Sequence, residues 1–281
     1  SVQSFEIYKM SDQRDIVAVG SKENTITVYG FGGDDVLYSA QVSADSLYGG
    51  AGDDVLGSFN QSVGGHDYAS NFDLNIQILL DGGDGNDTFV GGDAQEVFVG
   101  GFGTDELTYE AGPDGVAVNL ETGRGSGGNA EGDQFSSIEN LIGSVGDDIL
   151  SGDSGTNIIM GWTGHDTISG NAGQDLLYGN AGDDVVSGGA GNDLLHGGLG
   201  ADTLDGGDGI DTAVYSELQI HPKGGAARLI GPPTGVVVDL MARTGAGDTL
   251  WNIENVTGSL GSDTITGDAG DNLLAGEDGD D

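Results

Sequence analysis

Along the centre of this chain carboxylates follow one another at intervals of nine residues: Asp166, Asp175, Asp184, Asp193, Asp202 and Asp211 run without a break. Asp148 and Asn157 hold the two places before them. The same place is filled by Asp35, Asp45 and Asp54, by Asp87, Glu96 and Asp105, and by Asp263, Asn272 and Asp281. Acids set out in this way do not make a general acid–base pair, because they follow a period and converge on no single pocket. What they can do is line an edge. If each ends a turn and the turns stack, like charges stand about one strand spacing (~4.8 Å) apart. They then repel one another unless a cation lies between them.

The elements that must position these acids can be read from the residues around them. Residues 143–214 are eight uninterrupted nine-residue units, from GSVGDDILS and GDSGTNIIM through GNAGDDVVS to GGDGIDTAV. Shorter runs begin at Gly30, Ala40 and Gly49, at Gly82, Gly91 and Gly100, and at Gly258, Gly267 and Gly276, giving 17 units. Position 1 is Gly in 16 of them, position 4 is Gly in 15, and position 6 is acidic in 15. Position 8 is large and apolar in all units that reach it except one, where Ala213 stands. Each column implies a job. Gly at positions 1 and 4 is expected to let the backbone turn through φ > 0. The apolar residue sits in a stretch of three, enough for a short strand with one side chain inward. A turn plus a short strand cannot bury that side chain alone, so units must stack, two nonapeptides to a coil.

Charge narrows the class further. The 281 residues include 47 Asp or Glu against 7 Lys or Arg, a formal charge of −40. That balance argues against nucleic acid or an anionic membrane as partner, since both need a basic surface. No stretch approaches the length of a membrane span. Without Cys there are no disulfides, thiolate metal sites or Cys nucleophiles. The cations Lys9, Arg14, Lys22, Arg124, Lys223, Arg228 and Arg243 all fall outside the nonapeptides. HExxH, GxSxG and P-loop signatures are absent, so no catalytic residue and no enzyme activity are expected. Residues 123–128 match GxGxxG, but no helix is expected to follow, and a dinucleotide site is not read there.

The pattern G-G-x-G-x-D-x-U-x is that of the repeats-in-toxin (RTX) calcium-binding family, and the sequence resembles that family over more than half its length. The resemblance implies an all-β, right-handed parallel β-roll (a β-solenoid) with about 18 residues per coil and Ca2+ between successive turns on each edge. As ligands it implies the whole position-6 column named above, Asn157 and Asn272 included. With these come backbone carbonyls of Gly161, Gly164, Gly170, Gly173, Gly179, Gly182, Gly188, Gly191, Gly197 and Gly200. Oxygen-only donors are what hard Ca2+ prefers. Stacked neighbours give about nine sites as a minimum, and nine divalent ions would take −40 to about −22. The block between two linkers is similar to the layout of the RTX domain in adenylate cyclase–haemolysin toxins. Family likeness further implies a module of a larger secreted bacterial protein, exported by type I secretion machinery and disordered until it meets extracellular calcium. The alternatives are a carbohydrate-binding or adhesin module meeting a host surface or polysaccharide, and the C-terminal carrier of a toxin or enzyme whose catalytic part lies elsewhere. Lack of an aromatic or Thr row along a flat face argues against glycan or ice binding.

The segments follow from the runs. Residues 1–29 are expected to be calcium-free capping coils, 30–57 a first run, 58–81 an interruption, and 82–108 a second run. Then come a linker at 109–142, the main block at 143–214, a copied linker at 215–257 and a truncated run at 258–281, all read as one continuous solenoid. In residues 1–29 the spacing of Tyr8, Val17 and Ile26, and of Met10, Val19, Val28 and Leu37, keeps the strand period without its Gly and Asp columns. The linkers share Gly132-Asp133 with Gly247-Asp248 and Ile138-Glu139-Asn140 with Ile253-Glu254-Asn255. Their β-branched runs read as longer strands continuing the stack, with loops at 121–131 and 216–234 bulging outward. The last unit stops at position 6 and no Met starts the chain, so it reads as a piece of a longer polypeptide.

Plainer readings compete with this one. Asp-Gly pairs also serve ordinary turns on a metal-free solenoid, but turns alone need no acid at one fixed position. His66, His165, His196 and His221 lack the spacing of a zinc site, and His165 and His196 read as surface residues. Trp162 reads as a surface or stacking aromatic and Trp251 as part of a linker core. For Glu139 and Glu254 a hydrogen-bonding role is expected.

Overall fold

The computed structural model describes residues 5–19, 25–39, 44–58, 77–216, 218–219, 228–229 and 235–281. Their regular structure is β throughout, apart from a single 3-10 turn at Gly128–Ala130. The chain forms two compact units, Ser1–Ser144 and Val145–Asp281. His66, His221 and most of the 58–81 interruption lie outside the described residues.

The second unit holds the main block. One sheet carries Ile149–Ser151, Thr167–Ala172, Val185–Ala190 and Thr203–Asp208 in parallel, with Thr167 opposite Val185 and Val185 opposite Thr203. The other carries Ile158–Thr163, Leu176–Ala181, Leu194–Leu199 and Thr212–Val214, with Leu176 opposite Leu194. Hydrogen-bonded partners in successive coils are 18 residues apart, two nonapeptides to a coil, and the architecture is a parallel β-roll. Position 8 is the core: Leu150, Ile159, Ile168, Leu177, Val186, Leu195 and Leu204 are at most 1% exposed. Burying each such side chain stabilises the roll by about 1.5–3 kcal/mol.

Two expectations change here. The six strands between Ile149–Ser151 and Thr212–Val214 are six residues long, not three, running through positions 7, 8, 9, 1, 2 and 3. The ladder skips position 1 and resumes at position 2, where the chain enters the left-handed region even at Trp162 (φ 85°), Asn171 (φ 74°) and Asn180 (φ 80°). Threonine makes no continuous row on this face: the column reads Ile149, Thr167, Val185, Thr203, Thr249.

The first unit also holds two sheets, with irregular coils. Phe5–Lys9, Thr25–Gly32, Ser46–Ala51, Gln77–Asp84, Gln95–Phe102 and Gln134–Ser136 lie in one, all parallel. Ile16–Val19, Val36–Ser39, Val55–Ser58, Thr88–Val90, Glu106–Thr108 and Asn140–Ile142 lie in the other. Tyr8 stands opposite Val28 and Val17 opposite Leu37, so the amino-terminal columns do not follow the nine-residue spacing read from the sequence. The hydrogen-bonded ladder sets the register, and the turns absorb the surplus residues.

The linkers are not simple continuations with outward loops. Ala117–Asn119 and Arg124–Ser126 fold back antiparallel, and Arg124 pairs antiparallel with Gln134. The second linker repeats this reversal with Val237–Asp239, Thr244–Gly245 and Asp248–Trp251. Val237–Asp239 then pairs in parallel with Thr264–Thr266. In the 216–234 loop, Leu218–Gln219 pairs antiparallel with Arg228–Leu229. Among the described residues no helix is long and apolar enough to cross a membrane.

Candidate metal centre

Stacking brings the position-6 acids into ladders along the two edges. Each Asp accepts, through Oδ1, the backbone N–H of the acid one coil earlier. Asp166 donates to Asp184 at 2.8 Å and Asp184 to Asp202 at 2.9 Å. On the opposite edge Asn157 donates to Asp175, Asp175 to Asp193 and Asp193 to Asp211, at 2.8–2.9 Å. Asp35, Asp54, Asp87 and Asp105 form the same series in the first unit, while the Asp45 carboxylate accepts from Ile26. Asp263 accepts from Val236 and donates to Asp281. Asn157 and Asn272 instead bond within their own units, accepting from Asp153 and Asp268 at position 2.

In seven of these rungs one carboxylate oxygen is left over. Oδ2 of Asp35, Asp166, Asp175, Asp184, Asp193, Asp202 and Asp211 is buried without a hydrogen-bond partner. An orphaned buried carboxylate oxygen is costly, and a cation is what would satisfy it. The position-1 glycine shows where that oxygen points. A Cβ built on Gly179 would collide with Oδ2 of Asp184 and stand 2.6 Å from the carbonyl of Gly197. Gly161 and Gly170 show the same arrangement with Asp166 and Gly179, and with Asp175 and Gly188. Position 1 is therefore glycine for space and not for a positive φ, which belongs to positions 2 and 4. The carbonyls of Gly164, Gly173, Gly182 and Gly191 lie against the position-4 glycines of the next coil.

Burial, opposed in part by the backbone N–H bonds, raises these carboxyls in the metal-free roll. Asp166 and Asp175 are pushed up to about 7, and Asp184 and Asp211 to about 6. Among the described residues no three His, Asp or Glu side chains gather at one point. The donors are spread instead as a carboxylate oxygen plus a carbonyl from the neighbouring coil, repeated at Gly161, Gly170, Gly179 and Gly188. That all-oxygen cradle fits Ca2+.

Acids outside the position-6 column also belong to the ladders, and Glu139 and Glu254 take the hydrogen-bonding place expected of them. Asp15 donates its N–H to Asp35 at 2.7 Å, so the acid column does not vanish before the first run. From the linkers, Asp133 accepts from Glu96, Glu139 from Asp105, Asp248 from Asp202 and Glu254 from Asp211, at 2.8–3.0 Å. The shared Gly-Asp pairs at 132–133 and 247–248 were the available signal. The buried Tyr109 hydroxyl donates to Oδ2 of Asp133 at 2.7 Å, and Ser58 donates to Oε1 of Glu96. Burial, with the neighbouring Asp133 charge, lifts Glu96 well above the usual carboxyl range.

His196 is not a free surface residue: it stacks on Tyr178 at 4.5 Å, and burial lowers it to about 4. His165 is exposed and accepts the N–H of Asp183 through Nδ1. Trp162 is half-buried at its left-handed position. Trp251 is 42% exposed, so it is no core residue, and it carries the Arg243 guanidinium 4.2 Å above its ring.

Sheets of parallel strands joined by turns that pair carboxylates with carbonyls define a calcium-binding β-roll. The family model described as RTX calcium-binding nonapeptide repeat (4 copies) matches residues 27–41, 42–57, 79–114, 135–168, 142–177, 163–195, 178–213 and 250–281. These spans cover more than half of the chain, which belongs to the RTX calcium-binding repeat family. Its repeats are a structural calcium-binding module. A comparison with curated proteins finds no match.

Proposed function

We propose that this chain is a calcium-driven folding module of a larger secreted protein, unfolded when exported through type I machinery and compacted by calcium outside the cell. The observation that carries the reading is the row of buried Oδ2 atoms without partners in the main block. Without a cation those rungs destabilise the roll, and because the cradle exists only once coils stack, binding energy becomes folding energy. The ligands would be the position-6 side chains from Asp35 to Asp281, with carbonyls of the position-1 and position-4 glycines, holding about nine ions or more. The runs and linkers would then act as one solenoid, with residues 1–29 as its cap.

Circular dichroism tests the folding switch. With chelator the chain should be mostly unordered, and millimolar Ca2+ should restore the β signal cooperatively. Mg2+ should substitute poorly, because its compact octahedral shell resists replacement by carbonyls. Unchanged spectra on chelation would sink the reading.

A further inference from the structure

We propose that the linker motifs Ser137-Ile138-Glu139-Asn140 and Asn252-Ile253-Glu254-Asn255 each complete a further divalent-cation site with the last acid of the preceding run, Asp105 and Asp211. The inference deepens the calcium reading above and rests on it. Neither motif contains the glycines of a repeat, yet both rebuild the cradle. A Cβ on Gly206 would meet the carbonyl of Asn252 and Oδ2 of Asp211; one on Gly100 would meet the carbonyl of Ser137 and Oδ2 of Asp105. Those are the two donors that Gly197 and Asp184 present over Gly179.

The local backbone is arranged alike in the two motifs. Ser137 and Asn252 hold φ of 55° and 49°, in the left-handed region. The next turn is clamped by the preceding acid's own carbonyl. Asp105 accepts from Glu139 and Asn140 at 3.1 and 2.9 Å, and Asp211 from Glu254 and Asn255 at 3.2 and 2.9 Å. This clamp places each glutamate where a repeat would place its aspartate. Oε2 of Glu139 accepts from Asp105 at 2.8 Å and Oε2 of Glu254 from Asp211 at 2.9 Å. Asp211 is fully buried and its Oδ2 has no partner, so the site contains an anionic oxygen waiting for a cation. Two carboxylates and a carbonyl make a donor set for hard Ca2+. The nearby Arg243 has its guanidinium over the Trp251 ring.

Trp251 adjoins Asn252 and offers a local reporter. In a full-length W162F chain it is the remaining tryptophan, and Tb3+ bound at the site should emit when the indole is excited. The variant E254Q keeps an acceptor for the Asp211 N–H but removes the charge. It should cut Trp251-sensitised emission several-fold and lower the bound calcium count of the full chain by about one ion. E139Q with E254Q should lower it by about two, with the calcium-induced β signal retained in each case. Unchanged emission and an unchanged calcium count would show that the glutamates only brace the turn, and would overturn the proposal. Should E254Q lose its β signal, E254D decides: a raised Tb3+ midpoint supports the site and a wild-type midpoint refutes it. A parent chain lacking calcium-induced β signal counts against the folding reading alone, because emission and ion count still score the linker site.

Discussion

At Gly179 the missing side chain leaves the space into which Asp184 turns its Oδ2, whereas at Gly182 a φ of 147° adds a conformational bar to the close carbonyl of Gly164. The two glycines recur in one repeat pattern for different physical causes, and they should respond differently to substitution. Gly179→Ala overfills the cradle, a penalty of about 1–3 kcal/mol, and should raise the calcium midpoint for folding. Asn180→Gly, at a position with φ of 80°, removes left-handed strain and should leave that midpoint unchanged or lower. Calcium titrations followed by circular dichroism compare the two. A wild-type midpoint for Gly179→Ala would mean that the cation does not sit on the Oδ2 side of the rung.

Ladder rungs are the elements on which calcium would act, and each rung is worth what its neighbours allow. Asp184 has acids on both sides, Asp166 and Asp202. The sequence suggests that Asp35 borders only one, but Asp15 and Asp54 flank it. Asp263 has Val236 on one side and Asp281 on the other. Replacement by Ala should therefore raise the calcium midpoint similarly at Asp184 and Asp35 and least at Asp263, and equal shifts for all three would contradict neighbour coupling. The main block was legible because its ladder partners are 18 residues apart and its Leu177, Val186 and Leu195 fall in step. Asp248 was not, since it reaches Asp202 across 46 residues of chain that first reverses direction. Nothing local marks that reversal. Likewise a glycine excluded by a neighbouring carboxylate looks, in sequence, the same as one required by a left-handed turn.

For the molecule as a whole, the summed carboxyl charge sets the response to acid. Asp166, Asp175 and Asp248 are raised from an ordinary 3.8 to about 7 in the metal-free roll, chiefly by burial. A raised acid favours the folded chain when protonated, so this stability is full below about pH 4 and is lost as pH rises toward 7. In chelator, acidification from neutral to about pH 5 should therefore increase β signal, and calcium should add less to it. A chelated chain whose spectrum does not respond over that window would show that rung charge is not what keeps it open. The two-unit register also governs how such a protein can change length. A duplication of one nonapeptide would place every later strand in the opposite sheet and exchange left edge for right, as an odd permutation does. Two nonapeptides restore parity. Copying errors in a block fixed at both ends, such as residues 143–214, can thus be inherited without rewiring only in even numbers, and this block has eight units.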